Sequence, residues 1–133
     1  MMRPMCDEMK KLREYLDDNK IEWKDVSRIT TQDEFNCAVA HGIDPQFADT
    51  TIYRTHFSLY DYNWSVISGY GSYGGFSPLN GKDGGLLKCM TGCINGGEPA
   101  GCLSAADVIK KIKLVGEKGV INDWYEEVQD NGQ

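Results

Sequence analysis

The sequence lacks long apolar runs and any excess of basic charge, and each absence excludes a class of protein. Its uninterrupted apolar stretches are only a few residues long, so we expect no transmembrane helix and no membrane partner. Residues 1–16 carry charges throughout, which predicts that they do not act as a secretory signal peptide. Lys and Arg number 14 against 20 Asp and Glu, for a formal net charge of -6. Because tracking along duplex nucleic acid needs a basic surface, we expect no duplex partner.

Cysteine and histidine are also scarce, with five and two residues respectively. An odd number of cysteines without an export signal predicts free thiols in a reducing cytoplasm. Cys37 and His41 have an i,i+4 spacing, as have Cys89 and Cys93, but structural zinc sites prefer tighter pairs on turns. We therefore expect no metal and no cofactor. No paired catalytic carboxylates stand out, so we predict no catalytic residues and a protein that is not an enzyme.

Apolar residues at helical spacing predict an N-terminal helix. Met5, Met9, Leu12 and Leu16 form one stripe of that helix, and Asn19 can end it. Residues 21–27 alternate weakly between apolar and polar, which predicts at most a short edge strand.

A second short helix, followed by a loop, is predicted as an insertion at about residues 30–48. Thr31 precedes Glu34 by the spacing of a capping box, and Gly42 suits the end of the helix. The residues that follow Gly42 predict a loop.

From residue 50 the period changes to two, which predicts a central β-hairpin over about 50–73. One face of its first strand would carry Thr51, Tyr53, Thr55, Phe57 and Leu59. Residues 60–63 are polar and predict the turn. After the hairpin, residues 85–94 are predicted to be helical, and Ser104 is predicted to cap a last helix over 105–115.

Together these elements predict a single α+β domain over residues 1–133. The antiparallel sheet is built on the central hairpin, with an N-terminal helix and two C-terminal helices. A flexible acidic tail is expected from about residue 117.

Three glycines, Gly69, Gly71 and Gly74, form a G-x-G-x-x-G pattern directly behind a strand. In a dinucleotide-binding loop the third glycine leads into a helix, but Pro78 and four further glycines make a helix impossible here. A Walker loop is excluded as well, because Asp83 stands where Ser or Thr is needed. Both phosphate-binding motifs are therefore rejected.

Two interpretations of this glycine-rich stretch stay open. Glycine can permit a bent or bulged strand in which the neighbouring aromatic side chains simply pack. Alternatively, the missing side chains let a flat ligand approach the backbone, while Tyr70, Tyr73 and Phe76 offer stacking faces. The dense alternation of Gly with Tyr is a poor way to fill a core, which favours the second interpretation.

The block YRTHF…YNWSVISGYGSYGGFSP…GLLKCMTGCINGGEPAGCLSAADVIKKI, preceded by MKKLREYLDDNKIEW, resembles small proteins carried by phages and prophages of Firmicutes. In size and element order the chain is similar to the phage Thoeris anti-defence sponge family. The resemblance implies a decorated antiparallel sheet, a homo-oligomer that is a dimer or a hexamer built from dimers, and binding of a nucleotide signal without cleavage. It also implies a cytoplasmic location in an infected or lysogenic bacterium.

A cyclic ADP-ribose-type or cyclic oligonucleotide signal needs an aromatic face for its base and an arginine or backbone amides for its phosphates. The predicted ligand-binding residues are Arg28, Arg54, His56, Asn63, Tyr70, Gly71, Tyr73, Gly74 and Phe76. Two other functions stay open. One is an acidic inhibitor that covers a host defence nuclease, as anti-CRISPR proteins do, and the other is a small enzyme that degrades the signal.

Overall fold

Five antiparallel strands and four helices form the α+β architecture that the sequence predicts. The computed structural model describes residues 3–72, 75–77 and 82–124, with only the backbone of residues 76, 77, 82 and 83. The elements are α1 (Asp7–Asp18), β1 (Trp23–Asp25), α2 (Gln32–Ala40), α3 (Pro45–Ala48), β2 (Ile52–Leu59), β3 (Tyr62–Gly69), β4 (Phe76–Ser77), β5 (Lys82–Asp83), β6 (Leu87–Thr91), β7 (Ala100–Leu103) and α4 (Ala105–Lys118). The main sheet has the order β1-β2-β3-β6-β7, and β4 pairs separately with β5.

The predicted central hairpin is confirmed as β2 and β3. Phe57 lies opposite Trp64, and Thr55 lies opposite Val66. The phenyl ring of Phe57 and the indole ring of Trp64 stack with their centroids 5.6 Å apart. Its two turn residues, Tyr60 and Asp61, both have positive φ, which is the backbone of a type I′ turn and fits the right-handed twist of the strands.

The core lies between one face of the sheet and helices α1 and α4. Alternate residues of β2, β3 and β6 point into it, as the period of two predicts. The predicted stripe of α1 is confirmed for Met9, Leu12 and Leu16, which are fully buried, whereas Met5 precedes the helix, which begins at Asp7. The largest fully buried side chains of the core are Trp64, Met9, Leu12, Leu16, Leu87, Ile94, Ile112, Leu114 and Ile121.

The helix predicted over residues 85–94 is wrong, because this segment contains strand β6. Leu87, Cys89 and Thr91 are buried, whereas Lys88 and Met90 point away from the core. Strand β6 pairs with the edge of β3 that β2 does not cover. Without β6, the backbone N–H and C=O groups along that edge of β3 would be unpaired. Strand β7 was not predicted, and it pairs with β6 through an irregular register.

Both predicted helix caps in the rest of the chain are confirmed. Thr31 and Glu34 form a reciprocal capping box at the start of α2, and Ser104 and Asp107 form another at the start of α4. Helix α2 buries none of its side chains, which fits an insertion outside the core. The region predicted as a loop after Gly42 contains the short helix α3.

The segment after α4 is packed as far as residue 124. Ile121 pairs with Ile94 in a parallel bridge, and the indole N–H of Trp124 donates to the Glu98 carbonyl at 3.1 Å. Ile121 and Trp124 are both buried. The expected tail boundary at about 117 therefore falls inside a packed segment, and residues 125–133 lie outside the described part of the chain.

Arg13 of helix α1 connects this helix to the edge strand β1. Its Nε donates to Thr55 Oγ1 at 2.8 Å, and its guanidinium forms an ion pair with Asp25 at 3.2 Å. The guanidinium carbon also lies 4.6 Å from the ring centroid of Trp23. The backbone hydrogen bonds of a three-residue strand stabilise it only a little. The contacts of Arg13 therefore fix the position of β1 and of its side chains.

Asp49 joins the N-terminal segment to the start of β2. Its carboxylate accepts hydrogen bonds from the backbone N–H of Arg3 at 2.7 Å and from the Thr51 hydroxyl at 2.6 Å, and it pairs with the Arg3 guanidinium. Burial raises its pKa, but these hydrogen bonds and the nearby positive charge outweigh burial and hold the pKa of Asp49 below its usual range.

We expect Asp49→Asn to lower the free energy of unfolding at pH 7 by about 2–3 kcal/mol, because it leaves buried donors mismatched. The folded-state pKa is lowered, so the stability due to ionised Asp49 is present above about pH 3.9 and is lost as the pH falls through the folded-state value. Urea denaturation at pH 7 and pH 3 measures both effects. The exposed Asp18→Asn serves as control, and equal stabilities for the two variants at pH 7 would refute this role.

Candidate functional site

The sheet has one face toward the core and an opposite face, here called the open face. Residues of the open face alternate with core residues along each strand, and all of them are half-buried or exposed. The open face consists of Lys24, Val26, Arg28, Ile52, Arg54, His56, Ser58, Asn63, Ser65, Ile67, Lys88 and Met90.

The strand register arranges these residues in rows across the sheet. Lys24, His56, Ser65 and Met90 form one row, in which each residue lies opposite the next. The neighbouring row contains Arg54 opposite Ile67, which in turn lies opposite Lys88. Neighbouring strands are about 4.8 Å apart, so side chains in one row can contact the same small ligand.

Positive charge is concentrated on the open face. The described residues of the open face include the four cations Lys24, Arg28, Arg54 and Lys88. Asp and Glu are absent from these described residues. This composition contrasts with the net charge of -6 for the chain. Carboxylates therefore lie elsewhere, and the open face has the charge that attracts an anion.

A broad, open groove of about 1520 Å³ covers part of the open face. Its floor includes the row from Lys24 to Met90, and Ser58 and Asn63 lie at the hairpin end. The end of α1 and its connection to β1 form a wall of mixed charge, and the lining residues of that wall are Asp17, Lys20, Ile21 and Glu22. Arg54 and Lys88 lie one row beyond the groove.

His56 occupies the centre of the cationic region. Burial is the larger cause that lowers the pKa of His56, and the positive charge of Arg54 lowers this pKa further. The pKa therefore lies below the ordinary value of about 6.5, and the ring is mainly neutral at pH 7. A bound anion would oppose this effect, because its charge favours the protonated imidazole.

The structure brings four predicted ligand-binding residues onto one face. Arg54, His56 and Asn63 are on β2 and β3, and Arg28 forms a bridge with Ile52 at the edge of the same face. Arg28 is also 4.0 Å from the carboxylate of Glu34, in an exposed pair. Sequence reasoning missed Lys24, Ser65, Met90 and Lys88, since only the strand register shows that they are neighbours.

The glycine-rich stretch lies at the opposite end of β2 and β3 from the hairpin turn. Tyr70 is half-buried and its N–H donates to the Thr51 carbonyl at 3.1 Å. The predicted residues Tyr73 and Gly74 lie outside the described residues. Phe76 is in strand β4, but its side chain lies outside the description as well.

The described glycines of this stretch differ in their surroundings. A Cβ on Gly69 would lie 2.4 Å from the Thr51 carbonyl oxygen, and a Cβ on Gly75 would meet the backbone of Gly69. These two glycines allow the chain to pass close to itself, as the bent-strand interpretation requires. Gly71 has φ +74, and no atom of the described residues lies within 4 Å of a Cβ added there, so the close-approach interpretation stays a prediction.

The cysteines are dispersed among different surroundings. Cys89 and Cys93 are buried, and burial raises the pKa of the Cys89 thiol strongly. Cys37 is exposed, with its Sγ 3.7 Å from His41 Nδ1. Within the described residues, no group of three or more Cys, His, Asp and Glu side chains is placed to hold a metal ion.

Comparisons with protein-family models, curated proteins and solved structures found no match to this chain. In the described part of the chain, none of the helices has both the length and the apolar character needed to cross a bilayer. Functional inference therefore depends on the geometry and charge of the open face.

Proposed function

We propose that the open face binds a nucleotide signal and holds it without cleaving it. The observation that supports this proposal best is the concentration of Lys24, Arg54 and His56 on adjacent strands of a face without described carboxylates. Phosphates are recognised by Lys and Arg cations and can accept a hydrogen bond from a histidine ring N–H, whereas hydroxyl and amide groups of the same face can bind ribose or base. The ligand class is a cyclic ADP-ribose-type molecule or a cyclic oligonucleotide.

The biological role that fits this binding is phage anti-defence. The protein would sequester the immune signal in the cytoplasm of an infected or lysogenic bacterium, and no catalytic group is required for that role. We also propose a homo-oligomer, either a dimer or a hexamer built from dimers. Two open faces packed against each other would bring like charges together, so we expect subunits to meet through other surfaces.

The experiment is a capture-and-release assay. The protein is incubated with cyclic ADP-ribose or a cyclic dinucleotide, separated from free ligand by gel filtration, and heat-denatured. The proposal expects intact ligand in the protein fraction and its full recovery after denaturation. Loss of the ligand with appearance of a product would indicate a degrading enzyme, and no uptake at all would favour the protein-binding inhibitor.

Binding is expected to strengthen as the pH falls from 7 to 5.5. A bound phosphodiester keeps its charge in this range and raises the lowered pKa of His56, so ligand and proton bind cooperatively. We expect the dissociation constant for a cyclic dinucleotide to fall at least threefold. Isothermal titration calorimetry at constant ionic strength measures this change.

The matched controls use the two histidines of the chain. His56→Gln should remove the pH dependence, whereas the exposed His41→Gln should keep it. A pH dependence that survives His56→Gln would show that another group takes up the proton.

A further inference from the structure

The groove on the open face is chemically different at its two sides. Lys24 and His56 are on β1 and β2, and Arg54 borders them in the next row. On β3 and β6 the groove is lined by uncharged groups, including Ser65 and Met90. The side at β1 and β2 therefore provides basic side chains, next to the wall that also carries Asp17 and Glu22, and the other side provides hydroxyl, amide and thioether groups.

The uncharged side has features suited to a base and a sugar. The Met90 side chain is 47% exposed, although it lies in the middle of the sheet, and a polarisable thioether packs well on a flat ring. The Ser58 hydroxyl donates to Asn63 Oδ1 at 3.0 Å, which leaves the Asn63 amide N–H groups to donate to a ligand. Ser65 adds a half-buried hydroxyl between His56 and Met90.

We infer that the open face has two subsites: a phosphate subsite at Lys24 and His56 in the groove, extended by Arg54 in the row beside it, and a nucleoside subsite in the groove at Asn63, Ser65 and Met90. This inference rests on the proposed function and assigns an orientation to the ligand. The row from Lys24 to Met90 crosses three strand spacings, about 14 Å, so phosphate and base can lie on different strands. Met90 and Ser65 then determine which base is preferred, and Lys24 contributes to affinity for every phosphorylated ligand.

The test compares two probes and two variants by isothermal titration calorimetry. Inorganic pyrophosphate has only the charged group, and ADP-ribose has a pyrophosphate linkage with adenosine on one side and a ribose on the other. Met90→Ala should weaken ADP-ribose binding about fivefold and leave pyrophosphate binding within twofold of wild type. Lys24→Ala should weaken both probes by similar factors and reduce the dependence of binding on salt.

The outcomes separate this inference from the proposed function. If Met90→Ala weakens both probes equally or neither probe, the groove has no separate nucleoside subsite, although nucleotide binding stands. If wild-type protein binds neither ADP-ribose nor a cyclic dinucleotide, the proposed function fails and the two subsites with it. Both variants replace exposed side chains, so we expect their melting temperatures to equal that of the wild type. This measurement shows that the variants are folded.

Discussion

Arg54→Glu is expected to weaken nucleotide binding about 100-fold while it leaves the protein folded. The substitution removes the cation that we propose to bind phosphate and places a carboxylate on a face that has none among its described residues. Arg54→Ala, which removes the cation without adding an anion, should weaken binding at least tenfold. Calorimetric titration with ADP-ribose and with a cyclic dinucleotide measures both changes.

The control for Arg54→Glu is the same charge reversal at Lys113. Lys113 is exposed on α4, which packs on the core side of the sheet. Lys113→Glu changes the net charge equally, so it should alter binding less than threefold. Arg54 would instead be a structural residue if Arg54→Glu lowered the melting temperature strongly and left the affinity per folded molecule unchanged.

Gly69→Ala is expected to destabilise the protein by about 3 kcal/mol or more. The added Cβ would lie 2.4 Å from the Thr51 carbonyl oxygen, and the φ of +129 is a conformation that side chains rarely adopt. Because the obstructing atom belongs to the backbone of the neighbouring strand, the sheet itself would have to shift. Urea denaturation measures the loss.

Gly71→Ala is the matched comparison within the same stretch. Gly71 also has a positive φ, but among the residues that the structure describes nothing lies within 4 Å of the added Cβ, so backbone strain of about 1 kcal/mol is expected. Equal losses for the two substitutions would show that close packing at Gly69 has no special role. A folded Gly71 variant can also be titrated with nucleotide, which tests whether the ligand approaches the glycine-rich stretch.

Local signals in the sequence predicted the elements that depend on local interactions. Thr31 and Glu34 lie in one helical turn, so their capping box needs no information from the rest of the chain. The stripe of α1 is local for the same reason. Residues 85–94 were predicted to be helical, but strand β6 forms there because it pairs with β3, a partner distant in the sequence.

The candidate site was predicted in part. Arg54 and His56 belong to β2, so the period of two placed them on one face, whereas Arg28 and Asn63 were predicted as ligand-binding residues without an assignment to that face. Lys24 and Met90 join that face from distant parts of the chain, through a register that the sequence does not contain. The role of Gly69 likewise depends on Thr51, a neighbour across the sheet.

Backbone amide chemical shifts during a nucleotide titration test the central claim most directly. With ADP-ribose as ligand, the account predicts that the largest changes occur at Lys24, Arg54, His56 and Ser65, and that amides of α4 change little. Changes confined to α4 and β7, or no changes while the protein stays folded, would contradict binding on the open face.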